Sequence, residues 1–594
     1  MSSIWLNSLL IKNYRSFGER QSFVFPNQDY GKPVAIIGYN NAGKSNMLKA
    51  IKFALFDSVR EDTFDLVDFH NMDWNNAPCF QAAFMVDIID DRLNPQVVYK
   101  NTVITNVENS LIQSVEDYCN CYGEQNKQYS KKWAIKQKAP IYFINFHNIR
   151  DEISTHKTSW GNLKSFLGKH IQKIVDLDNI MKEKKSSFQE GVKGATDEVL
   201  ENSQLQSFIS SIQKNYQKNL RNTDCVVDFG LPHYEDIFLK MLFKIGLNGN
   251  MNSLIPIDHF GDGFISMFVM AVIQAIAETS IDDRCLFLFE EPESFLHENH
   301  QEYFYKVVLC GLAKNGHQVI YTTHSDRMID AFDTQGIIRL ELDDQNQTVK
   351  MYNSINSVNY PANAINDDAE LEEPISIERY NEYVKTVEPN LNRMLFSKKV
   401  LLVEGPNDVM VYKYVIRQKV LNMIQNREDI GNPEKFADTY LNYENISFVC
   451  HHGKTTALYI IELCRHFNVD YFVITDWDFK DDELDQQAVL EFTSLDQLHA
   501  SDLYNEAERK GGVTNNWNLF TKVGSENIHF NTRKLETVIG YARDDKNSFK
   551  IWNHINNEDF TIPIALYPDS LNSFLNIDVL AEVIANNEDD GLPF

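Results

Sequence analysis

Two short apolar runs in the C-terminal third of the chain end in carboxylates. The first ends at Glu404, with Asp408 four residues later, and the second ends at Asp476, with Asp478 two residues later. Because side chains two apart on a strand point the same way and parallel strands end at one sheet edge, we expect these four donors to converge. Clustered carboxylates suit Mg²⁺ or Mn²⁺, which would allow metal-assisted phosphate chemistry. The alternative is a solvated loop, since the segment around Asp478 is rich in acids.

A glycine-rich segment near the N-terminus has the spacing of a phosphate-binding loop. Residues 38–45, GYNNAGKS, match the pattern GxxxxGK[ST], with an apolar run before them and helically spaced apolar residues after them. In such a P-loop, backbone N–H groups hold phosphate, the lysine reaches the outer phosphates and the hydroxyl binds Mg²⁺. The sequence therefore predicts an ATP site, with a chance glycine-rich turn as the alternative. The predicted ligands are Gly38, Asn40, Asn41, Gly43, Lys44, Ser45 and Asn46.

A second acidic element follows the P-loop along the chain. The apolar run LFLF ends in Glu290 and Glu291. Such a strand end is weak evidence by itself, but after a P-loop it is typical of an ATPase. Glu290 would hold Mg²⁺ through water, and Glu291 would orient the water that attacks the terminal phosphate.

Further features resemble ATP-binding-cassette (ABC) ATPases. Gly261 and Gly263 begin a helix, as in the ABC signature loop, which binds the γ-phosphate held by another subunit. Asp262 stands where that loop usually has serine, and a carboxylate there would repel phosphate. The alternative is a plain helix start capped by Asp262. His324, on the strand end after the paired acids, resembles the switch histidine that senses γ-phosphate.

Two N-terminal residues extend this resemblance. Arg15, in the run KNYRSF, resembles the arginine on the first strands of SMC- and RecF-type ATPase heads, and Gln81 could be their Q-loop glutamine. No long heptad repeat interrupts the predicted head, which excludes the coiled-coil arms of SMC proteins.

The C-terminal pattern, a Glu-Gly strand end followed by Asp-x-Asp, resembles the Toprim domain. An ABC head followed by Toprim resembles the OLD (overcoming lysogenization defect) family over residues 1–145 and 230–550. The resemblance implies an α/β protein, with an ABC-type P-loop ATPase head, a helical insertion and a Toprim domain. It also implies an ATP-dependent DNA endonuclease that uses ATP and Mg²⁺ or Mn²⁺. The family includes the Gabija A subunit and retron-associated effectors, and many members act in antiphage defence.

The resemblance also assigns roles to individual residues. It places the four carboxylates described first at a two-metal centre and adds Glu536 as a further acid. A family lysine near the C-terminus corresponds to Lys546 or Lys550, of which we favour Lys550. Of two ions beside the scissile phosphate, one would activate water and the other would stabilise the leaving oxygen, while the lysine neutralises charge. ATP binding and hydrolysis would gate access of DNA.

Changes in composition predict five segments. A polar stretch rich in Lys and Gln indicates a helical insertion, which we expect to mediate dimerisation. An acidic stretch with two prolines indicates a linker. The predicted segments are an ATPase N-terminal lobe (1–150), the helical insertion (151–228), an ATPase C-terminal lobe (229–355), the linker (356–395) and a Toprim nuclease domain (396–594).

The composition is acidic for a protein that would hold DNA. Lys and Arg number 56 against 84 Asp and Glu, so the net charge is −28. The DNA path would have to be locally basic, or metal ions and a partner would have to supply positive charge. We therefore expect a homo-oligomer, dimer or tetramer, or a partner. The family resemblance allows a helicase-like protein, or a reverse transcriptase with its retron DNA.

Other features concern the compartment of the protein. The eight cysteines are scattered without a CxxC pair, which predicts free thiols and no structural zinc. No apolar run approaches the ~20 residues of a membrane span, and the N-terminus lacks the pattern of a signal peptide. The sequence therefore predicts a cytoplasmic protein with no membrane partner.

Two other functions fit parts of the pattern. A non-cleaving, ATP-dependent DNA sensor or scaffold would bind metal without cutting, and the acidic charge favours it. A topoisomerase-like enzyme would combine Toprim with a nucleophilic tyrosine, but no winged-helix context is apparent around any of the 26 tyrosines. A primase would require a zinc-binding cysteine cluster, which the sequence lacks.

Overall fold

A computed structural model describes most of the chain. The described residues are 2–55, 65–88, 93–107, 111–119, 141–150, 179–201, 204–220, 244–245, 254–279, 284–360, 365–366, 373–425, 427, 429–479, 484–541 and 547–580. None of the helices in these ranges is long and apolar enough to cross a membrane.

The chain forms two compact units that do not follow sequence order. Unit 1 comprises Met1–Arg15, Phe25–Val34 and Ser45–Thr323, and unit 2 comprises Ser16–Val24, Ala35–Lys44 and His324–Phe594. Two short N-terminal stretches thus pack with the C-terminal half of the chain. The five segment boundaries expected from composition stay predictions.

β-Strands occur in both units. In chain order they are β1 (Ser2–Lys12), β2 (Gln21–Val24), β3 (Val34–Gly38), β4 (Cys79–Ile88), β5 (Leu93–Val107), β6 (Leu111–Cys119), β7 (Ile141–Asn145), β8 (Lys244–Ile245), β9 (Ile255–Pro256), β10 (Leu286–Glu290), β11 (Gln318–Thr322), β12 (Ile337–Leu342), β13 (Thr348–Asn353), β14 (Lys399–Val403), β15 (Ile446–Cys450), β16 (Asp470–Asp476) and β17 (Ile528–Asn531).

α-Helices alternate with many of these strands, as expected for an α/β protein. They are α1 (Lys44–Leu55), α2 (Asn179–Leu200), α3 (Gln204–Leu220), α4 (Asp262–Thr279), α5 (Glu298–Tyr303), α6 (Cys310–Lys314), α7 (Ile377–Val387), α8 (Pro406–Ile424), α9 (Pro433–Tyr443), α10 (Lys454–His466), α11 (Gln486–Leu490), α12 (Leu495–His499), α13 (Asp502–Glu506), α14 (Lys510–Val523), α15 (Leu535–Val538), α16 (Ser548–Ile555) and α17 (Asp569–Phe574). A π-helical segment, Phe304–Leu309, joins α5 to α6.

Unit 1 contains antiparallel and parallel strand pairing. β1, β4, β5 and β6 pair in that order, all antiparallel. β10 lies between β7 and β11 and is parallel to both. All five residues of β10 are buried, which explains its unbroken apolar run before the terminal acid. Helices α2 and α3 occupy the stretch where a helical insertion was predicted.

Unit 2 brings two strand ends together. β3 is parallel to β12, and β12 pairs antiparallel with β13.

A four-stranded parallel sheet has the order β15-β14-β16-β17. Its strands are short apolar runs such as KVLLV in β14, because a sheet buried on both faces needs apolar residues at successive positions. The carboxyl ends of β14 and β16 are therefore neighbours.

The core of unit 2 fixes helix α8 against this sheet. Val411, Val415 and Ile416 of α8 are buried in one apolar cluster with Leu401 of β14 and Phe472 of β16. Val411 and Val415, four residues apart, lie on one face of the helix. The N-terminus of α8 is thereby held next to the end of β14.

A buried arginine joins β12 to the four-stranded sheet within unit 2. Arg339 is 2% exposed and donates to three backbone carbonyls, Ser397 O at 2.9 Å, Phe467 O at 3.3 Å and Asn468 O at 2.8 Å. It also forms an ion pair with Glu341. A buried guanidinium is tolerated only when its donors are satisfied, so these contacts depend on one another.

Arg339→Leu should therefore destabilise the protein strongly. Three carbonyls and one carboxylate would lose their donor, and we expect the free energy of unfolding to fall by about 3–5 kcal/mol in urea denaturation. Arg393→Leu is the matched control, since Arg393 is 61% exposed in its pair with Asp326 and should change stability by less than about 1 kcal/mol. Equal effects of the two substitutions would contradict this role of Arg339.

Candidate functional site

The predicted carboxylates of β14 and α8 meet at the end of the strand. Glu404 directly follows β14, and Gly405 precedes the first turn of α8. Asp408, the third residue of α8, accepts a hydrogen bond from Gly405 N–H through Oδ2 at 3.1 Å. Pro406 at the first helical position fits a helix start, because it has no N–H to leave unpaired. The Glu-Gly-Pro-Asn-Asp sequence thus places two carboxylates on either side of one tight turn.

Asp476 lies on the neighbouring strand end. Its backbone N–H faces Glu404 Oε2 at 3.4 Å, and its Oδ1 accepts from Asn531 Nδ2 at 3.2 Å and Leu535 N–H at 2.9 Å. These donors come from β17 and the start of α15. The Asp476 carboxylate is therefore fixed in one orientation.

These side chains line one cavity of about 360 Å³. Glu536 of α15, placed at the site by resemblance alone, also lines it and is 3% exposed. Within the described part of the chain, the buried oxygens Asp408 Oδ1 and Glu536 Oε2 have no hydrogen-bond partner. The cavity is lined in part by Glu404, Asp408, His452, Asp476, Glu536 and Ser548.

Mutual repulsion characterises this cluster. Burial, Glu404 and Asp408 raise the pKa of Asp476 to about 8, and burial and Glu404 raise the pKa of Asp408 to about 7. Carboxylates confined together resist ionisation unless a cation lies between them. Hard oxygen donors, two of them unpaired and buried, fit a divalent ion such as Mg²⁺ or Mn²⁺.

Asp478 lies in a neighbouring cavity. The period-two expectation placed its side chain beside that of Asp476, but Asp478 has a φ of 71° in the left-handed region, so the strand pleat ends before it. Its carboxylate forms an ion pair with Lys454, and both line a cavity of about 460 Å³. Glu404 and His452 line both cavities. Asp478 is thus close to the other acids but paired with a cation.

Lys454 was missed by the sequence analysis. It is the first residue of α10 and follows β15 in the run CHHGK, a third strand end at the same sheet edge. A buried strand followed by Gly-Lys was the available signal. Lys550 is exposed on α16, where its backbone N–H donates to Asn547 Oδ1. Lys546 lies outside the described residues.

The predicted nucleotide-binding residues divide between the units. In unit 2, a Cβ on Gly38 would meet Leu340 O at 2.1 Å, and a Cβ on Gly43 would meet Thr348 Oγ1 at 2.2 Å, so both positions require glycine. Lys44 Nζ donates to Gly38 O and Tyr39 O, each at 3.0 Å.

Other predicted nucleotide ligands lie in the P-loop or close to it. His324 Nδ1 lies 3.4 Å from Lys44 Nζ. Asn40 and Asn41 are exposed in the P-loop, and Asn41 has a φ of 67°. Ser45 follows Lys44 in the first turn of α1. This part of the predicted site therefore has its lysine, histidine and loop backbone together in unit 2, whereas Ser45 falls in unit 1.

The paired acids of unit 1 end a buried strand, as predicted. Glu290 closes β10 and is 4% exposed, and its Oε2 has no hydrogen-bond partner among the described residues. Glu291 has a φ of 47°, and its Oε2 lies 2.7 Å from His147 Nε2. A buried carboxylate oxygen without a protein partner fits a water-mediated Mg²⁺ contact. His147, which orients Glu291, gave no recognisable signal in the sequence.

The glycine loop of unit 1 contains a compensating charge. Asp262, the acid that departs from the ABC signature, begins α4 and pairs with Arg150 Nε at 2.7 Å. Arg150 also donates to Phe260 O at 3.1 Å. Gly263 lies so close to Phe295 O that a Cβ would approach it to 2.9 Å, while Gly261 has open space around it. Arg150 thus neutralises the carboxylate that would otherwise repel phosphate.

Arg15 connects the first strands to the helix after the P-loop. Its Nε lies 2.7 Å from Asp68 Oδ1, and its Nη1 donates to Asn46 Oδ1 at 3.1 Å. Arg15 has a φ of 49°, which directs it away from the strand path. Gln81, the candidate Q-loop residue, lies within β4 opposite Leu10.

Models of two known domains match this chain. An AAA ATPase domain matches residues 95–329, and the overcoming lysogenization defect protein-like TOPRIM domain matches residues 395–478. The chain joins an ATPase domain to an OLD-like Toprim domain. The resemblance to the OLD family and the expected fold class, a P-loop ATPase followed by Toprim, are thereby confirmed. The two domains imply the use of ATP and of a divalent metal.

Several relatives are similar over much of the chain. Endonuclease GajA of Bacillus cereus strain VD045 is 22% identical over 75% of this chain and 72% of its own length. The Old nuclease of Escherichia phage P2 is 22% identical over 80% and 78%, respectively. The OLD nuclease of Thermus scotoductus is 25% identical over 54% and 52%.

Repulsion among the Toprim carboxylates should make the stability of the protein depend on pH. The pKa of Asp476 is raised from its ordinary value near 4 to about 8. The native state therefore binds this proton more tightly than the unfolded chain does. The free energy of unfolding consequently falls as the pH rises across that interval. In EDTA at pH 8, Asp476→Asn should therefore raise the free energy of unfolding by about 2 kcal/mol. Thermal melting should show this gain shrinking towards pH 4.

Asp559→Asn, at an exposed acid, is the matched control and should show no such gain. Saturating Mg²⁺ should reverse the order, because the unmodified cluster then gains a cation that the variant binds less well. A variant that melts below the unmodified protein at pH 8 in EDTA would contradict the repulsion.

Proposed function

We propose that this chain is an ATP-dependent DNA endonuclease whose Toprim domain holds two divalent ions. The observation that carries the proposal is the cluster of Glu404, Asp408, Asp476 and Glu536 around one cavity, in which two buried oxygens have no hydrogen-bond partner among the described residues. Three relatives with nuclease in their names support the same activity. Bound there, divalent ions would polarise the scissile phosphate and supply an activated water.

The side chains of the Toprim domain would divide the remaining work. Glu404, which lines both cavities, would be a ligand of the metal centre, and Asn531 would keep the Asp476 carboxylate oriented. Lys454, which pairs with Asp478, would turn to the phosphate and neutralise its growing negative charge. The family resemblance alone implies the same charge-neutralising role for Lys550.

Each predicted ATPase residue would have the role that its motif has in other ATPases. Lys44 would leave the carbonyls of its own loop for the outer phosphates, and Ser45 and Glu290 would hold Mg²⁺. Glu291 would orient the attacking water, with His147 at 2.7 Å keeping its carboxylate in place. His324 would sense the terminal phosphate.

DNA would need positive charge that the chain as a whole lacks. The net charge of −28 supports assembly of several copies, or a partner that supplies a basic surface. The resemblance to the OLD family implies a role in antiphage defence, and we propose that role for this chain. The prediction that the protein works in the cytoplasm belongs to the same proposal.

The two activities should separate by mutation. Asp476→Ala combined with Asp478→Ala should reduce cleavage of supercoiled plasmid by about a hundredfold or more, because both ions lose ligands, while ATP hydrolysis persists. Glu291→Gln should reduce ATP hydrolysis by about a hundredfold or more and leave ATP binding intact. Phosphate release, nucleotide binding and gel analysis of the plasmid, with Mg²⁺ or Mn²⁺ and with or without ATP, measure these effects.

The outcomes distinguish the proposed function from its rivals. Equal loss of both activities in the Asp476 and Asp478 variant would contradict two separate sites. Plasmid that stays intact under every condition would favour the metal-binding DNA sensor, which the acidic charge of the chain supports. Covalent trapping of DNA on denaturing gels would instead favour a topoisomerase.

The two candidate lysines can be tested against each other. Lys454→Gln should lower cleavage by about tenfold or more at saturating metal, because the charge beside Asp478 and the cavity is lost. Lys550→Gln, on the exposed helix α16, should have the smaller effect if Lys454 is the neutralising cation. The opposite ranking would assign that role to Lys550.

A further inference from the structure

A second group of metal-binding side chains lies beside the carboxylate cluster. Glu388 directly follows α7, Cys450 is the last residue of β15, and His452 lies two residues further on. One donor atom of each lies within 4.8 Å of the donors of the other two. Elements distant in sequence therefore bring a carboxylate, a thiol and an imidazole together.

Contacts within the group hold these donors in place. Glu388 Oε1 accepts from Asn390 N–H and Oε2 accepts from Cys450 N–H, each at 3.0 Å. His452 Nε2 lies 3.7 Å from Glu388 Oε2. Glu388 and Cys450 are buried, whereas the His452 side chain is 27% exposed. The group is therefore ordered on its inner side and accessible on its outer side.

The backbone of His452 is constrained. It has a φ of 54°, a left-handed conformation that residues other than glycine adopt infrequently. Its N–H donates to Glu404 O at 3.1 Å, which fixes it to the end of β14. Such a conformation persists only where the surroundings enforce it, and it often marks a functional position. Here it directs the imidazole towards Glu388 and Cys450.

We propose that Glu388, Cys450 and His452 form a metal centre for a borderline transition ion of the Zn²⁺ class. Thiolate and imidazole bind Zn²⁺ in preference to Mg²⁺, whereas the neighbouring all-carboxylate cluster suits Mg²⁺ or Mn²⁺. The two groups share no proposed ligand, and the new centre adjoins the Toprim site through His452, which lines both cavities. Three protein ligands leave a fourth position for water on the exposed side.

Charge and proton balance are consistent with this assignment. On binding, the S–H bond of Cys450 breaks and its proton passes to solvent, because only the thiolate coordinates. Thiolate and carboxylate then cancel the two positive charges of the ion, and His452 coordinates as the neutral ring. An ion at this position would fix His452, which lines both cavities next to Glu404.

The test uses the full-length protein with Mg²⁺ present in excess and Co²⁺ as the probe. Co²⁺ takes the place of Zn²⁺ and reports a bound thiolate by a charge-transfer band in the near ultraviolet. We expect this band to saturate at one Co²⁺ per chain and to disappear when Zn²⁺ is added. It should be absent in Cys450→Ser and retained in Cys464→Ser, the matched control at a fully buried thiol of α10.

Two milder variants keep the proposal testable if Cys450→Ser folds poorly. Glu388→Gln keeps the shape of the side chain and an acceptor for one of the two N–H groups, and His452→Asn keeps a residue that tolerates positive φ. Each should weaken Co²⁺ binding by about tenfold or more, and His452→Asn should do so with an unchanged melting temperature in EDTA. Asp476→Asn, in the Toprim site, should leave the band unchanged, so a failure of the nuclease proposal would not affect this result.

Two results would overturn the proposal. One is the absence of a thiolate band at every Co²⁺ concentration in the folded, unmodified protein. The other is a band that survives Cys450→Ser, which would assign the thiolate to another cysteine. Glu388 would then serve only as the acceptor that joins α7 to β15.

Discussion

Repulsion between buried carboxylates is the constraint on which the C-terminal architecture depends. Parallel pairing of β14 and β16 brings Glu404 and Asp476 to one edge, and α8 adds Asp408 from its first turn. Such a cluster is unfavourable by itself, so neighbouring groups must hold it: the apolar face of α8, Asn531 and the N–H of Leu535 all serve this purpose. The fold thus stores an electrostatic cost that a divalent ion would relieve.

Much of this site could be predicted from the chain. Glu404, Asp408 and Asp476 follow apolar runs, and the topology of a parallel sheet is enough to bring such strand ends together. Glu536 required a family resemblance, because a four-residue helix leaves no periodic signal. Asp478 differed from expectation because the alternation of a strand holds only while the strand continues, and its positive φ lies beyond the end of β16.

Contacts between distant segments account for most of what the sequence could not reveal. The ATPase motifs are local patterns, so the P-loop and the paired acids were recognisable from their order. In contrast, Arg150 neutralises Asp262 across 112 positions of the chain, and His147 reaches Glu291 across a comparable distance. Pairing of this kind depends on tertiary structure alone. Arg150 explains why the chain tolerates Asp262 where the signature pattern has serine, and the sequence does not reveal this pairing.

Strand β12 of unit 2 packs very closely against its neighbours. The carbonyl of Leu340 lies where a side chain on Gly38 would have to be. The adjacent residue, Arg339, donates to the carbonyls of Ser397 and Phe467, which precede the neighbouring strands β14 and β16. No compressible layer of side chains separates the phosphate-binding loop from this strand. A shift of the loop would therefore displace β12 directly, and β12 carries the arginine that binds the residues just before β14 and β16.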